Sequence, residues 1–376
     1  MSIDFATLQG LSIPEGVVTQ IADAAGRVLW SAVKNIPAVL QVEKITADTY
    51  AGETTYKGEQ FVLLDIYPKK AGSTVEVTYG NLTKTLNFDG TNSQPVFFGT
   101  FNGVSDGVST PSSGTLTIDG DYSGFACGSY ASSSKSSSVR CWCVTEVVDW
   151  GCSTSIKSSA FGDVLATTNT RLVDIAAFPN SIKVINTYAF AKCTGLKRVT
   201  INGGVHTIYG AAFQSCDNLE SVTIGDQVKS IYGGAFSQCN SLSNLVVDAN
   251  SEEYSTESGV LFNKDKTLLH CYPSANGEYV IPNTVKTIEA YAFYRNTNLT
   301  SVTIPAGVTS IGKYAFNLPS GSSRIVKMLS VMPATLGGDA VFDNVGTNEI
   351  IVPAGSGEAY KAAEYWSEYA DYITEA

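Results

Sequence analysis

From residue 185 onward the apolar positions return on a fixed period. The segment Ile-x-x-x-Ala-Phe occurs at Ile185–Phe190, Ile208–Phe213, Ile231–Phe236, Ile288–Phe293 and Ile311–Phe316. Phe190, Phe213 and Phe236 lie 23 residues apart, as do Phe293 and Phe316. Between these anchors come Cys193, Cys216, Cys239 and Asn296, then Leu196, Leu219, Leu242 and Leu299. The alternating pairs Val199/Ile201, Val222/Ile224, Leu245/Val247 and Val302/Ile304 follow, and then Val205, Val228, Val285 and Val308. Alternation at period two predicts a short strand with one buried face. No unit can bury its own apolar positions, so the units must stack, with strands pairing in parallel at roughly 4.8 Å per step. The expectation is one parallel sheet through all four alternating pairs and one buried column of phenylalanines.

The period is broken in identifiable places. Phe236 and Phe293 are 57 residues apart, and the excess falls at residues 250–273, where Asn263–Lys266 reads as a hairpin turn. Ile156–Phe161 is an earlier copy, 29 residues before Phe190, with a bulge expected around Ala166 to Arg171. Ala340–Phe342 is a degenerate copy and Glu349–Pro353 a last strand. Residues 356–373 read as one amphipathic capping helix, with Tyr360, Ala363, Trp366, Tyr369 and Ile373 on its buried face.

The front half has a different rhythm. Residues 1–33 read as a β-hairpin around Asp23–Gly26. Residues 34–108 alternate in short strands near 38–45, 60–67, 74–79, 82–88 and 95–98, which suggests a small Ig-like or PEGA-like β-sandwich. Residues 109–150 are taken as the lead-in to the solenoid, with Thr115–Ile118 and Val144–Val148 as its first strands and 132–138 as a polar loop. The fold class is therefore mainly β with short helices, a leucine-rich-repeat solenoid over 109–376 behind a small sandwich.

The Cys-x-x-Leu-x-x-Val-x-Ile…Val-x-x-Ile-x-x-x-Ala-Phe unit resembles the BspA-like (Treponema pallidum type) leucine-rich repeats. So do the Gly-Val-Leu-Phe-Asn-Lys-Asp insert and the final Val-Pro-Ala-Gly-Ser…Ala-Tyr-Lys-Ala-Ala-Glu-Tyr-Trp segment. The resemblance covers residues from about 150 to 376 and implies surface recognition and adhesion, with no catalytic residues. Separately, Ile13-Pro-Glu-Gly…Val28-Leu-Trp30 resembles short N-terminal elements of tail-associated proteins of gut bacteriophages and prophages. On that resemblance residues 1–33 would attach the chain to a virion. The alternative is a bacterial cell-surface adhesin binding a host protein or glycan.

Composition narrows the choice. Net charge is −11 and no Lys/Arg cluster occurs, which speaks against nucleic acid as a partner. No apolar run is long enough to span a bilayer as a helix, so no membrane insertion is expected. Residues 1–10 show neither the basic nor the apolar part of a secretory signal, so either an export signal has been trimmed or the protein is assembled in a cytosol, and the second fits loading onto a particle. No cofactor motif is recognisable. Of the two histidines, His206 shares its register with Lys229, Lys286 and Thr309 and is read as solvated, and neither is read as catalytic. Cys127, Cys141, Cys143 and Cys152 form the one group that could hold zinc, but C-x13-C-x-C-x8-C is not a ribbon spacing, and buried or incidental thiols are the preferred reading. The candidate ligand-binding surface is the outward face of the strands, formed by Arg198, Thr200, Ser221, Thr223, Asn244, Ser301 and Thr303 as one flat, hydroxyl-rich ridge. The competing reading is a solvated sheet in which threonine is chosen for β propensity.

Overall fold

The computed structural model describes residues 20–22, 28–31, 38–43, 45–46, 60–101, 104–105, 113–120, 122–127, 129–131, 138–140, 144–149, 153–162, 169, 172, 174–175, 178–319, 324–343 and 349–376. Gln20–Ala22 pairs antiparallel with Val28–Ser31, the hairpin expected near the N-terminus.

The next strands form two sheets. In spatial order, one runs Asp174–Ile175, Val144–Asp149, Ala38–Glu43, Ser113–Gly120, Thr74–Tyr79, Leu82–Asn87. The other runs Tyr122–Cys127, Gln60–Pro68, Gln94–Phe101, Val104–Ser105. Alternation does the sorting: in Thr74–Tyr79, Val75, Val77 and Tyr79 are buried while Thr74 and Glu76 are exposed. Leu40, Val77, Leu116 and Ile118 from the first sheet share one core with Leu64, Ile66, Val96 and Phe125 from the second. Both faces thus close on each other as a sandwich does.

Of the two strands expected to open the solenoid, Ser113–Gly120 lies in this sandwich instead, while Val144–Asp149 serves both, antiparallel to the sandwich on one edge and parallel to the next solenoid strand on the other. Ser113–Gly120 pairs antiparallel with Ala38–Glu43 and with Thr74–Tyr79, and Val144–Asp149 pairs antiparallel with Ala38–Glu43. The reason is local. A solenoid strand must be followed by the Ile-x-x-x-Ala-Phe turn that starts the next rung; the first such turn begins at Ile156, nine residues after Val147 as Ile208 is after Val199, and none follows Ser113–Gly120. The free edge of Val144–Asp149 then pairs in parallel with Asp174–Ile175, so the front sheet passes directly into the solenoid. Phe125 meets Phe161 edge-on at 6.1 Å, which joins the two cores.

The solenoid has two columns of parallel strands. One is Ser155–Ile156, Val184–Ile185, Thr207–Ile208 and Ser230–Ile231; the other is Arg198–Ile201, Ser221–Ile224 and Asn244–Val247. Between them the rings of Phe161, Phe190, Phe213 and Phe236 stack at 5.1–5.4 Å, and Phe293, Phe316 and Phe342 form a second run at 4.9–5.6 Å. The 29-residue first unit keeps this register because Asn169 and Leu172 stand where Cys193 and Leu196 do. Asn169 Nδ2 donates to the Phe161 carbonyl at 2.8 Å, and its Oδ1 accepts from Leu172 N–H.

The cysteine position has the same task. Cys193, Cys216 and Cys239 are buried, and each thiol donates to the carbonyl of the phenylalanine one rung earlier: Phe161 at 3.2 Å, Phe190 at 3.1 Å and Phe213 at 3.0 Å. A buried carbonyl needs a donor, and the thiol supplies a weak one from a small side chain that otherwise packs as an apolar group. At Asn296 the amide does it, donating to Pro273 O at 2.9 Å. Burial pushes the Cys216 thiol well above its ordinary pKa, so the reactive thiolate is suppressed. Iodoacetamide should therefore leave these three cysteines unmodified in the folded protein and alkylate them in denaturant, as read by peptide mass mapping. Rapid native labelling at Cys216, or a disulfide within the ladder, would contradict the assignment.

The insert interrupts both columns. Tyr254–Glu257, Val260–Asn263 and Leu268–Cys271 form an antiparallel meander whose second turn is the expected Asn263–Lys266. Asn263 Oδ1 accepts from the N–H groups of Thr267 and Leu268, both at 2.9 Å, and so fixes that turn. The last strand of the meander pairs in parallel with Thr287–Ile288 and restarts the narrow column; Gly277–Val280 pairs with Leu299–Ile304 and restarts the broad one. Leu299–Ile304 therefore belongs to a second sheet, not to the single sheet expected from the period.

The C-terminal cap also differs from expectation. The single helix is split into an α-helix at Gly357–Ala362, an extended Ala363, a left-handed Tyr365 and a 3-10 helix at Trp366–Tyr372. Ile373–Glu375 then adds a final parallel strand to Glu349–Val352. Tyr360, Trp366, Tyr369 and Ile373 are buried as the periodicity required. The 3-10 segment, with three residues per turn, places Trp366 and Tyr369 on one side, where both reach Phe342.

Candidate functional site

Five of the seven residues expected on the sheet face are brought together. Arg198, Ser221 and Asn244 are register partners across three strands, and Thr200 pairs with Thr223 and then Val246. The inward residues of these strands, such as Val222 and Ile224, are buried, so the alternation turns the polar ones outward. Asn244 Nδ2 donates to Ser221 Oγ at 2.9 Å, tying the row together. Arg198, Thr200 and Asn244 are exposed, Ser221 and Thr223 half-buried, and the row ends on an exposed Val246.

Ser301 and Thr303 do not extend this row. They stand in the second sheet, where Ser301 lies between Glu278 and Ile325, and Thr303 between Val280 and Lys327. Ser301 is buried, which removes it from any contact surface. The insert is the cause, since it ends the first sheet at Asn244–Val247.

The weak zinc candidates fall largely outside the described residues. Cys127 closes the strand Tyr122–Cys127, while Cys141, Cys143 and Cys152 lie outside the described residues. No group of three or more metal-capable side chains occurs among the described residues. His206 is exposed. His270 is half-buried in the insert, edge-on to Tyr254 at 5.1 Å and with Nδ1 3.6 Å from Glu289 Oε2. Desolvation lowers its pKa to about 4, so it is neutral at physiological pH.

A second surface feature escaped the sequence reading. The four turns that begin at Ile185, Ile208, Ile231 and Ile288 each hold two left-handed positions, one three residues after the Ile and one two after the Phe. Along successive rungs the first position is Tyr188, Ala211, Gly234, Tyr291, and the second is Lys192, Ser215, Gln238, Arg295. At the first position side chains are large at the outer rungs and small at the inner two. The result is a groove of about 590 Å³ with a tyrosine and a cation at each end. Gly234 sits so close to Tyr291 that an added Cβ would lie 3.3 Å from its ring. The signal was present as Tyr-Gly-Ala-Ala-Phe and Tyr-Gly-Gly-Ala-Phe at 209–213 and 232–236, read only as filler between anchors.

Stacked parallel rungs of this period, with inward Cys/Asn at the strand exit and leucine after it, define a leucine-rich-repeat solenoid. A family model described as BspA type leucine rich repeat region matches residues 154–266 and 270–354 in six copies. The chain belongs to that family. A search of curated proteins returned no match. Among solved structures, the chain is similar to the pneumococcal vaccine antigen PcpA, at 23% identity over 48% of this chain and 50% of that one, with a TM-score of 0.38. It is similar to a leucine-rich repeat protein from Eubacterium ventriosum, at 22% identity over 55% and 66%, TM-score 0.39. It is also similar to a leucine rich cell surface protein from Faecalibacterium prausnitzii, at 23% identity over 59% and 76%, TM-score 0.33. The chain thus spans half the length of the pneumococcal protein it matches.

Proposed function

We propose that the protein is a non-catalytic recognition protein that presents its solenoid to a protein or glycan on a cell surface. The observation that carries this reading is the open three-strand face, where Arg198, Thr200, Ser221, Thr223 and Asn244 form a register-paired polar row on a rigid scaffold. Solenoids use such extended surfaces for binding, and rigid elements hold a contact row without ordering cost. Display on a bacterial surface is favoured over the virion expected from residues 1–33, because the family match lies in the solenoid and nothing found in the comparisons supports tail association.

The test is binding of the labelled chain to a glycan array and to cultured cells. The Thr200→Lys/Thr223→Lys double variant should lose at least about tenfold in affinity, because it sets two desolvated charges on a flat row. Its circular dichroism should be unchanged. Unaltered binding by the variant would move the site off this face. Mass spectrometry of cell-envelope fractions against purified phage particles decides the location, and recovery in particles alone would reinstate the virion.

A further inference from the structure

Beyond the sheet face, we propose that the groove on the turn side of the solenoid is a binding site for an oligosaccharide of the uronic-acid type. The chain carries a net charge of −11, yet among the described residues this groove is lined by Lys192 and Arg295 and by no carboxylate. The cations do not sit together. They occupy the same turn position in the first and last of the four turns that line the groove, with Tyr188 in the turn of Lys192 and Tyr291 in the turn of Arg295, whose guanidinium stands 6.0 Å over the Tyr294 ring. The Phe190, Phe213 and Phe236 rings are 5.1–5.4 Å apart and Arg295 lies beyond the last of them, so the two ends are separated by the span of a short oligosaccharide, not of one carboxylate. A polymer that repeats a carboxylate along its length meets both cations at once. Arginine and lysine bind carboxylates through charge-assisted hydrogen bonds.

The tyrosines say what lies between the charges. Aromatic rings offer flat apolar faces with a polar tip, which suits the C–H face and hydroxyl edge of a pyranose. Between them the floor is low because Ala211, Gly233 and Gly234 project little or nothing, and Gln214, Ser215 and Gln238 border it with donors and acceptors. This is a mixed lining, apolar walls with a few polar groups, of the kind that orients a small ligand. An acidic peptide fits less well. An extended peptide would need unpaired backbone groups along the groove. Here Gln214 N–H donates to Ala211 O at 3.1 Å, Ser215 N–H to Ser237 O at 3.0 Å, and Ser237 N–H to Gly234 O at 3.0 Å. The floor is closed to strand addition.

The experiment is calorimetric titration of the full chain with tetragalacturonate, maltotetraose and tetraglutamate. Tetragalacturonate should bind, with affinity falling as salt rises, and maltotetraose should bind at least roughly tenfold more weakly. Lys192→Gln and Arg295→Gln should each weaken tetragalacturonate by about tenfold or more. Both positions lie outside the phenylalanine core, so these variants test the site without depending on Tyr291→Ala, which also disturbs the contacts of Tyr291 with Tyr294 and Tyr314. No binding at millimolar tetragalacturonate, equal or better binding of tetraglutamate, or binding indifferent to Lys192→Gln and Arg295→Gln would each overturn the assignment.

Discussion

Replacing Phe213 by alanine should destabilise the protein by about 3–5 kcal/mol, the range for removing a fully buried aromatic ring from a packed core. The ring is wholly inaccessible and stacks on Phe190 at 5.1 Å and on Phe236 at 5.4 Å. Its backbone is fixed as well. The Phe213 N–H donates to Ala235 O at 2.8 Å, and its carbonyl accepts the Cys239 thiol at 3.0 Å. The void cannot close by a shift of one neighbour, because every rung is held at the same spacing by the rungs on both sides. In a solenoid each unit contacts only its neighbours, so loss of a central rung weakens two interfaces and uncouples what lies beyond them. Denaturant unfolding followed by circular dichroism should show a lower midpoint, and a broader transition if the two flanks separate. A midpoint within the error of wild type would mean that the ring column does not carry the core.

The column itself was legible because its signal repeats: one Ile-x-x-x-Ala-Phe is noise, and five in register are an architecture. What was not legible followed from contacts between segments distant in sequence. Ser301 and Thr303 share the repeat pattern of Ser221 and Thr223, and nothing local tells that the insert has moved them to another sheet. Thr115–Ile118 alternates like any strand, and only its partners, Ala38–Glu43 and Thr74–Tyr79, assign it to the sandwich. The groove was missed for another reason. It is made by what is absent at Ala211 and Gly234, and pattern reading follows the large residues.

The cap failed in a more instructive way. Tyr360, Trp366, Tyr369 and Ile373 satisfy helical spacing and are all buried, yet the chain does not run as one helix. Spacing reports which residues must face the core, not the path that takes them there. Here the core presents Phe342 and the unpaired strand edge of Glu349–Val352 together. A continuous helix could cover the first but would leave the second without hydrogen bonds. Splitting the helix lets Ile373–Glu375 reach that edge and pair with it.

That division of labour sets the second large effect. Trp366 is fully buried, lies 5.5 Å from Phe342, meets Tyr360 edge-on at 4.9 Å, and donates its indole N–H to Ala334 O at 2.7 Å. Trp366→Ala should cost about 3–5 kcal/mol, as Phe213→Ala does, but the loss should be distributed differently. Phe213 has a rung on either side; the cap has one neighbour. Its loss should free the last segment before the rest of the solenoid, since end units open at lower free energy than internal ones. Hydrogen exchange should therefore quicken at Ile373 to Ala376, where Ala376 N–H now donates to Val352 O at 3.1 Å, while Phe190 and Phe213 stay protected. Trp366→Phe separates packing from hydrogen bonding. It keeps most of the ring but leaves the Ala334 carbonyl without its donor, which should cost about 1–3 kcal/mol. If Trp366→Ala instead accelerates exchange evenly along the solenoid, the cap is part of one cooperative unit and not a separable end.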